Sequence, residues 1–274
     1  MELRQLVRGQ TIINHGGLIM KNTIPVALGF VLTFASFGAP AQQFQWPEEP
    51  ENLQVLPEGT SGNELGAIMR GFVSSLDVRC DHCHVGEGND LTQFDFASDD
   101  KATKRKTRVM IEMVRTLNTE HLAKLSSIEE QKAPTLQVTC MTCHRKQKRP
   151  VMLQDVLINA NNAGGADAAV AKYHELREKY YGGFSFDFSP GTLTRVGEQF
   201  GSDGDANAAV RMIELEIEMN GENPTVLYAL GGAQAAGGMT EAAVQSFTKG
   251  KELAPDGWKP FFQAELDKLA KGED

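Results

Sequence analysis

The stretch RCDHCHVGEG, residues 79–88, sets two cysteines and two histidines within five positions. Sixty residues later VTCMTCHRKQ, residues 138–147, places Cys140, Cys143 and His144 at the offsets of Cys80, Cys83 and His84. C-x-x-C followed by histidine is either half of a zinc site or the attachment signature of a c-type haem. In an exported chain the same four cysteines also suggest two disulfides. Disulfides explain the cysteines but not the histidine after each pair, whereas haem explains all six residues. The thiols add to the two vinyl groups and the next imidazole turns onto the iron. This reading gives two covalently bound haem c groups, attached at Cys80, Cys83, Cys140 and Cys143, with His84 and His144 as proximal ligands. His82 then points away from the iron, as a surface residue.

The first forty residues indicate the compartment. From Lys21 the chain runs KNTIPVALGFVLTFASFGAPAQQ, with one positive charge, an apolar run from Ile24 to Phe37, and Ala39-Pro40-Ala41 before a polar segment. This is the pattern of a secretory signal with a small-x-small cleavage site. The apolar run is shorter than the roughly 20 residues of a membrane-spanning helix, although a retained anchor is the alternative. Residues 1–41 are therefore expected to be a signal peptide, with Met20 as the start, and the mature protein is expected in the periplasm.

Hydrophobic residues make up 41% of the 274 positions, enough for a core and more than one domain. Residues 1–41 hold three basic residues and one acidic residue, so the remainder has 24 basic and 35 acidic side chains, a net charge of −11. That balance argues against nucleic acid as a partner. Positive charge is nevertheless concentrated at Lys101, Lys104, Arg105, Lys106 and Arg108, and again at Arg145, Lys146, Lys148 and Arg149. Such clusters are either a solvated face offsetting haem propionates or a docking patch for an acidic redox partner.

Sixth iron ligands are sought on the preceding segments. GNELGAIMRGFVSSLDVRC has Leu65, Ile68, Met69, Phe72, Val73 and Leu76 at helical spacing, with Met69 eleven residues before Cys80. Ahead of the second motif, KRKTRVMIEMVRTLN places Val109, Met110, Met113, Val114 and Leu117 on one face. Spacing alone leaves these methionines as core or ligand, and His121 and His174 as bis-histidine alternatives.

The phrases MRGFVSSLDVRCDHCH, TRVMIEMVRTLN and VTCMTCHR together resemble the cytochrome c subunit of photosynthetic reaction centres, over roughly residues 50–150. The resemblance implies that the helix methionine is the axial ligand, which assigns Met69 to the first haem and Met110 to the second, with Met113 as the alternative. The family subunit carries four haems, and this chain has two motifs. The resemblance also implies redox protein partners, among them a membrane-bound electron-transfer complex.

After Pro150 a 34-residue period appears: Pro190 and Pro224, Leu193 and Leu227, Val196 and Leu230, Gly197 and Gly231, and Val210 and Val244 are each 34 apart. A period of this length with small residues in the second helix resembles the tetratricopeptide repeat, in which helix pairs bury their apolar faces on their neighbours. Residues 190–223 and 224–257 are the clear units, residues 153–181 a degenerate first unit, and WKPFFQAELDKLAK a closing helix. Such a stack is either a structural tail or a groove for a protein partner.

The expected fold is all-α: a signal peptide over 1–41, a dihaem cytochrome c domain over 42–150, and a TPR-like helical-repeat domain over 151–274. The expected function is electron transfer rather than catalysis, because methionine and histidine close both faces of each iron. A dihaem peroxidase with one open site, and a helical-repeat adaptor with structural C-x-x-C-H units, are the alternatives.

Overall fold

Helix α1 (Gly62–Leu76) begins at a capping box. The Ser61 hydroxyl accepts from the Glu64 N–H, and the Glu64 carboxylate accepts from the Ser61 N–H at 2.9 Å. It ends at Asp77, in the left-handed region at φ 53°. The structure, a computed structural model, describes residues 44–128 and 136–272, so the expected signal peptide lies outside the described residues. Among the described residues it is all-α, with no strand and one isolated bridge between Val85 and Asp95. No helix among them is long and apolar enough to cross a membrane.

Helix α2 (Ala102–Thr116) follows the first motif and runs into a π turn at Leu117–His121. It buries no residue, and its apolar Val109, Met110 and Met113 are exposed. A short α3 (Cys140–His144) is the second motif itself and packs against α1.

The remaining helices are α4 (Leu153–Tyr180), α5 (Thr192–Ser202), α6 (Ala206–Asn220), α7 (Pro224–Ala236), α8 (Thr240–Leu253) and α9 (Lys259–Lys271). Helix α4 spans the stretch expected to be a degenerate first unit and is interrupted at Gly165, whose φ of +77° suits glycine. From α5 to α9 each helix packs on the next. Asp205 and Asn223 cap α6 and α7, and Pro224 occupies the first turn of α7, where no N–H is needed. Leu157, Tyr173, Leu193, Phe200 and Met212 form the largest apolar core, joining α4, α5 and α6.

The 34-residue period is present in the packing. A methyl group at Gly197 would stand 2.6 Å from Ile213 Cγ1, and one at Gly231 would stand 2.7 Å from the Phe247 ring. Both members of the first contact recur 34 positions on in the second. Only glycine lets each helix pair close this far.

The turn entering α5 is tied to α6 by Glu216, 1% exposed. Its carboxylate accepts from the N–H groups of Gly191 at 2.7 Å and Leu193 at 3.0 Å, and from Asn220 Nδ2 at 2.7 Å. Donors left open at a helix start are satisfied here by a side chain from another helix.

Candidate functional site

The first motif is a tight 3₁₀ turn over Cys80–His82, closed when the His84 N–H donates to the Cys80 carbonyl at 2.9 Å. His84 meets Phe96 edge-on, with ring centroids 5.0 Å apart. Phe96 contacts Phe94 at 5.6 Å and Phe44 at 5.3 Å, and Phe44 contacts Trp46 at 5.2 Å. The Trp46 ring packs against α1, where a methyl at Gly66 would stand 2.8 Å from it. An aromatic chain therefore joins His84 to the helix that carries Met69.

The start of α2 lies over the same motif. Lys101 Nζ donates to the Asp81 carbonyl, Thr103 Oγ1 donates to the His82 carbonyl, and Cys83 Sγ is 3.9 Å from Thr107 Oγ1. Thr107 and Met110 share a face of α2.

Burial, with Lys104 nearby, pushes the His84 imidazole below its usual range and favours the neutral ring. His82 is half-buried rather than a surface residue, and it is lowered by burial and by Lys148 and Lys101. Those two lysines come from the two separate basic clusters, which thus converge on the first motif. Within the first cluster, Lys104 and Arg108 pair with Asp99 at 3.2 and 2.8 Å, and Lys104 also donates to the carbonyls of Phe96, Ala97 and Ser98. These two cations therefore have internal roles.

At the second motif, Thr139 N–H donates to Thr142 Oγ1 at 3.0 Å, capping α3. His144 Nδ1 is 2.8 Å from the Gln147 carbonyl. Because a carbonyl only accepts, Nδ1 carries a proton here, which leaves Nε2 as the nitrogen able to bind iron. Burial raises the Cys140 thiol.

Asn118, in the π turn, holds the approach to this motif. Its Nδ2 donates to the Val138 carbonyl, and its Oδ1 accepts from the Val138 N–H, each at 2.8 Å. Sequence reasoning passed over Asn118, because a lone asparagine at a helix end reads as a cap.

Met69 is half-buried on α1, while Met110 and Met113 on α2 are 40% and 42% exposed. His121 is exposed in the π turn, and His174 is exposed on α4 with its ring against Tyr173.

The donor set fits haem. None of the four cysteines is paired in a disulfide. Among the described residues no three His, Cys, Asp or Glu side chains gather to hold a metal ion, as a four-donor zinc site would require. His84 Nδ1 is buried without a hydrogen-bond partner, and the methionine face of α2 is uncovered by protein. Cys80, Cys83 and His84, and Cys140, Cys143 and His144, would hold the two groups.

Residues 41–175 match the model of the photosynthetic reaction centre cytochrome C subunit family. The matched stretch contains both motifs and α1 to α3, and it continues past Pro150 into α4. No curated protein matches the chain. The family match supports a cytochrome-type electron carrier with covalently bound haem c.

Proposed function

We propose that this protein is an exported dihaem c-type cytochrome that passes electrons between redox partners in the periplasm. The observation that carries this reading is the repeated C-x-x-C-H unit inside the matched segment. Haem supplies the one-electron couple between ferrous and ferric iron. The chain supplies two thiol anchors per site, His84 and His144 as proximal ligands, and Met69 and Met110 as thioether ligands, with Met113 as the neighbouring choice for the second site. Thioether ligation favours ferrous iron and raises the potential relative to bis-histidine ligation. With both faces filled, no position is left for substrate.

Residues 42–150 form the redox part in this reading, and residues 151–274 a TPR-like stack that presents a surface to a protein partner. Lys101 and Lys148, from separate basic clusters on an otherwise acidic chain, give an acidic redox protein or a membrane-bound electron-transfer complex a place to dock beside the first motif.

The test is a pyridine haemochrome assay on protein matured in a periplasm. Two haems per chain should survive denaturation, and serine at both Cys80 and Cys83 should remove one. Loss of both haems or of neither defeats the assignment. A high-spin iron together with peroxide turnover in the unmodified protein would favour the peroxidase alternative.

A further inference from the structure

The turn that follows the second motif is held from three directions. Arg145 and Lys146 both lie in the left-handed region, at φ 48° and 66°. Residues with side chains adopt that region at a cost, and two in succession persist only where their surroundings fix them. The Lys146 N–H donates to the Ser75 carbonyl of α1 at 2.9 Å, and the Gln147 N–H donates to the His144 carbonyl at 2.8 Å. The third hold comes from the segment between α4 and α5. Ser185 Oγ donates to the Arg145 carbonyl at 2.7 Å, and the buried Gln147 Nε2 donates to the Ser185 carbonyl at 2.6 Å.

This lock fixes the Gln147 carbonyl 2.8 Å from His144 Nδ1. At the first motif the carbonyl facing the His84 ring is that of Phe96, which also accepts from Lys104 Nζ at 2.9 Å. A hydrogen bond donated by the distal ring nitrogen raises the basicity of the ligating one, and a more basic ligand favours ferric iron. The acceptor at the first motif thus belongs to the loop that holds Phe96, and the Ser185 lock bears on His144 alone.

We infer that Ser185 and Gln147 are positioning residues for His144, through which the segment joining α4 to α5 lowers the reduction potential of the second haem and leaves the first untouched. The inference rests on the proposed reading of His144 as a haem ligand.

Full-length holoprotein carrying Ser185→Ala, and separately Gln147→Met, tests this by spectroelectrochemical titration. Haem is counted in each variant, and the second midpoint is assigned in a Cys80→Ser, Cys83→Ser background. With two haems retained, one midpoint should rise by on the order of 59 mV, a tenfold change in the ferrous-to-ferric ratio at fixed poise. Ser185→Thr, which keeps the hydroxyl, should restore the original value. Two retained haems with both midpoints unmoved, or with both shifted together, would overturn the inference while leaving the ligand assignment standing. Absence of haem at Cys140 and Cys143 in the unmodified protein would instead defeat the underlying reading.

Discussion

Asn118 and Val138 exchange two hydrogen bonds, side-chain amide to backbone, as a pair of neighbouring strands would. Val138 stands two residues before Cys140, so this one contact ties the methionine helix to the second motif. Asn118→Leu should cost about 1–3 kcal/mol, the net worth of two hydrogen bonds of this kind. It should also lower haem occupancy at the second site. Urea unfolding followed by circular dichroism gives the first quantity, and the haemochrome count gives the second.

The contact of Gly231 with Phe247 leaves no room for a methyl group. Gly231→Ala should destabilise the protein by about 1–3 kcal/mol through overpacking. Adding Phe247→Leu should recover part of the loss, because the two residues touch and their effects are not additive. Full additivity of the two changes in a double-mutant cycle would show that the glycine serves another purpose.

Arg108, Asn52 and Lys104 hold the Asp99 carboxyl well below its ordinary value of 3.8. A depressed carboxyl contributes stability that is complete above the unfolded value and is lost as pH falls through the folded one. The urea midpoint should therefore fall progressively on acidification below about pH 4, and Asp99→Asn should flatten that fall while lowering the midpoint at neutral pH. Identical profiles for the two proteins between pH 6 and pH 2 would remove Asp99 from the account.

Met69→His should lower one reduction potential and leave the other near its starting value, since imidazole stabilises ferric iron better than a thioether does. Met110→His should act in the same way on the second site, and Met113→His should leave both potentials in place. The weak near-infrared sulfur-to-iron band provides an independent readout, halving in each effective variant.

How much of this was legible in the sequence depends on how far apart the cooperating residues lie along the chain. Cys80, Cys83 and His84 are adjacent, so the motif reads directly, and Met69 lies on a helix whose period is visible. Gly197 and Gly231 were visible for a related reason: the contact each makes recurs at a fixed interval, so spacing reports packing. Asn118, Gln147, Ser185 and Glu216 gave no such signal. Each acts on backbone groups of another segment, and a polar side chain reaching a distant carbonyl or N–H leaves no periodic mark. Lys104 and Arg108 read as surface charge because Asp99, their partner, sits in an irregular loop. The burial of His82 arises in the same way, from the start of α2 lying over the turn that holds it.

Since the contact of Gly197 with Ile213 recurs as Gly231 with Phe247, the C-terminal helices meet at seams of one kind, a glycine against a bulky side chain. A 34-residue block added beyond α6 should therefore move the end of the stack while keeping a seam of that kind at each junction. Ser185 lies ahead of the first repeated seam, so such a change in length should leave the fastening of the second motif's turn in place. The length of the helical stack and the fastening of the second motif's turn are therefore separable properties of one continuous polypeptide.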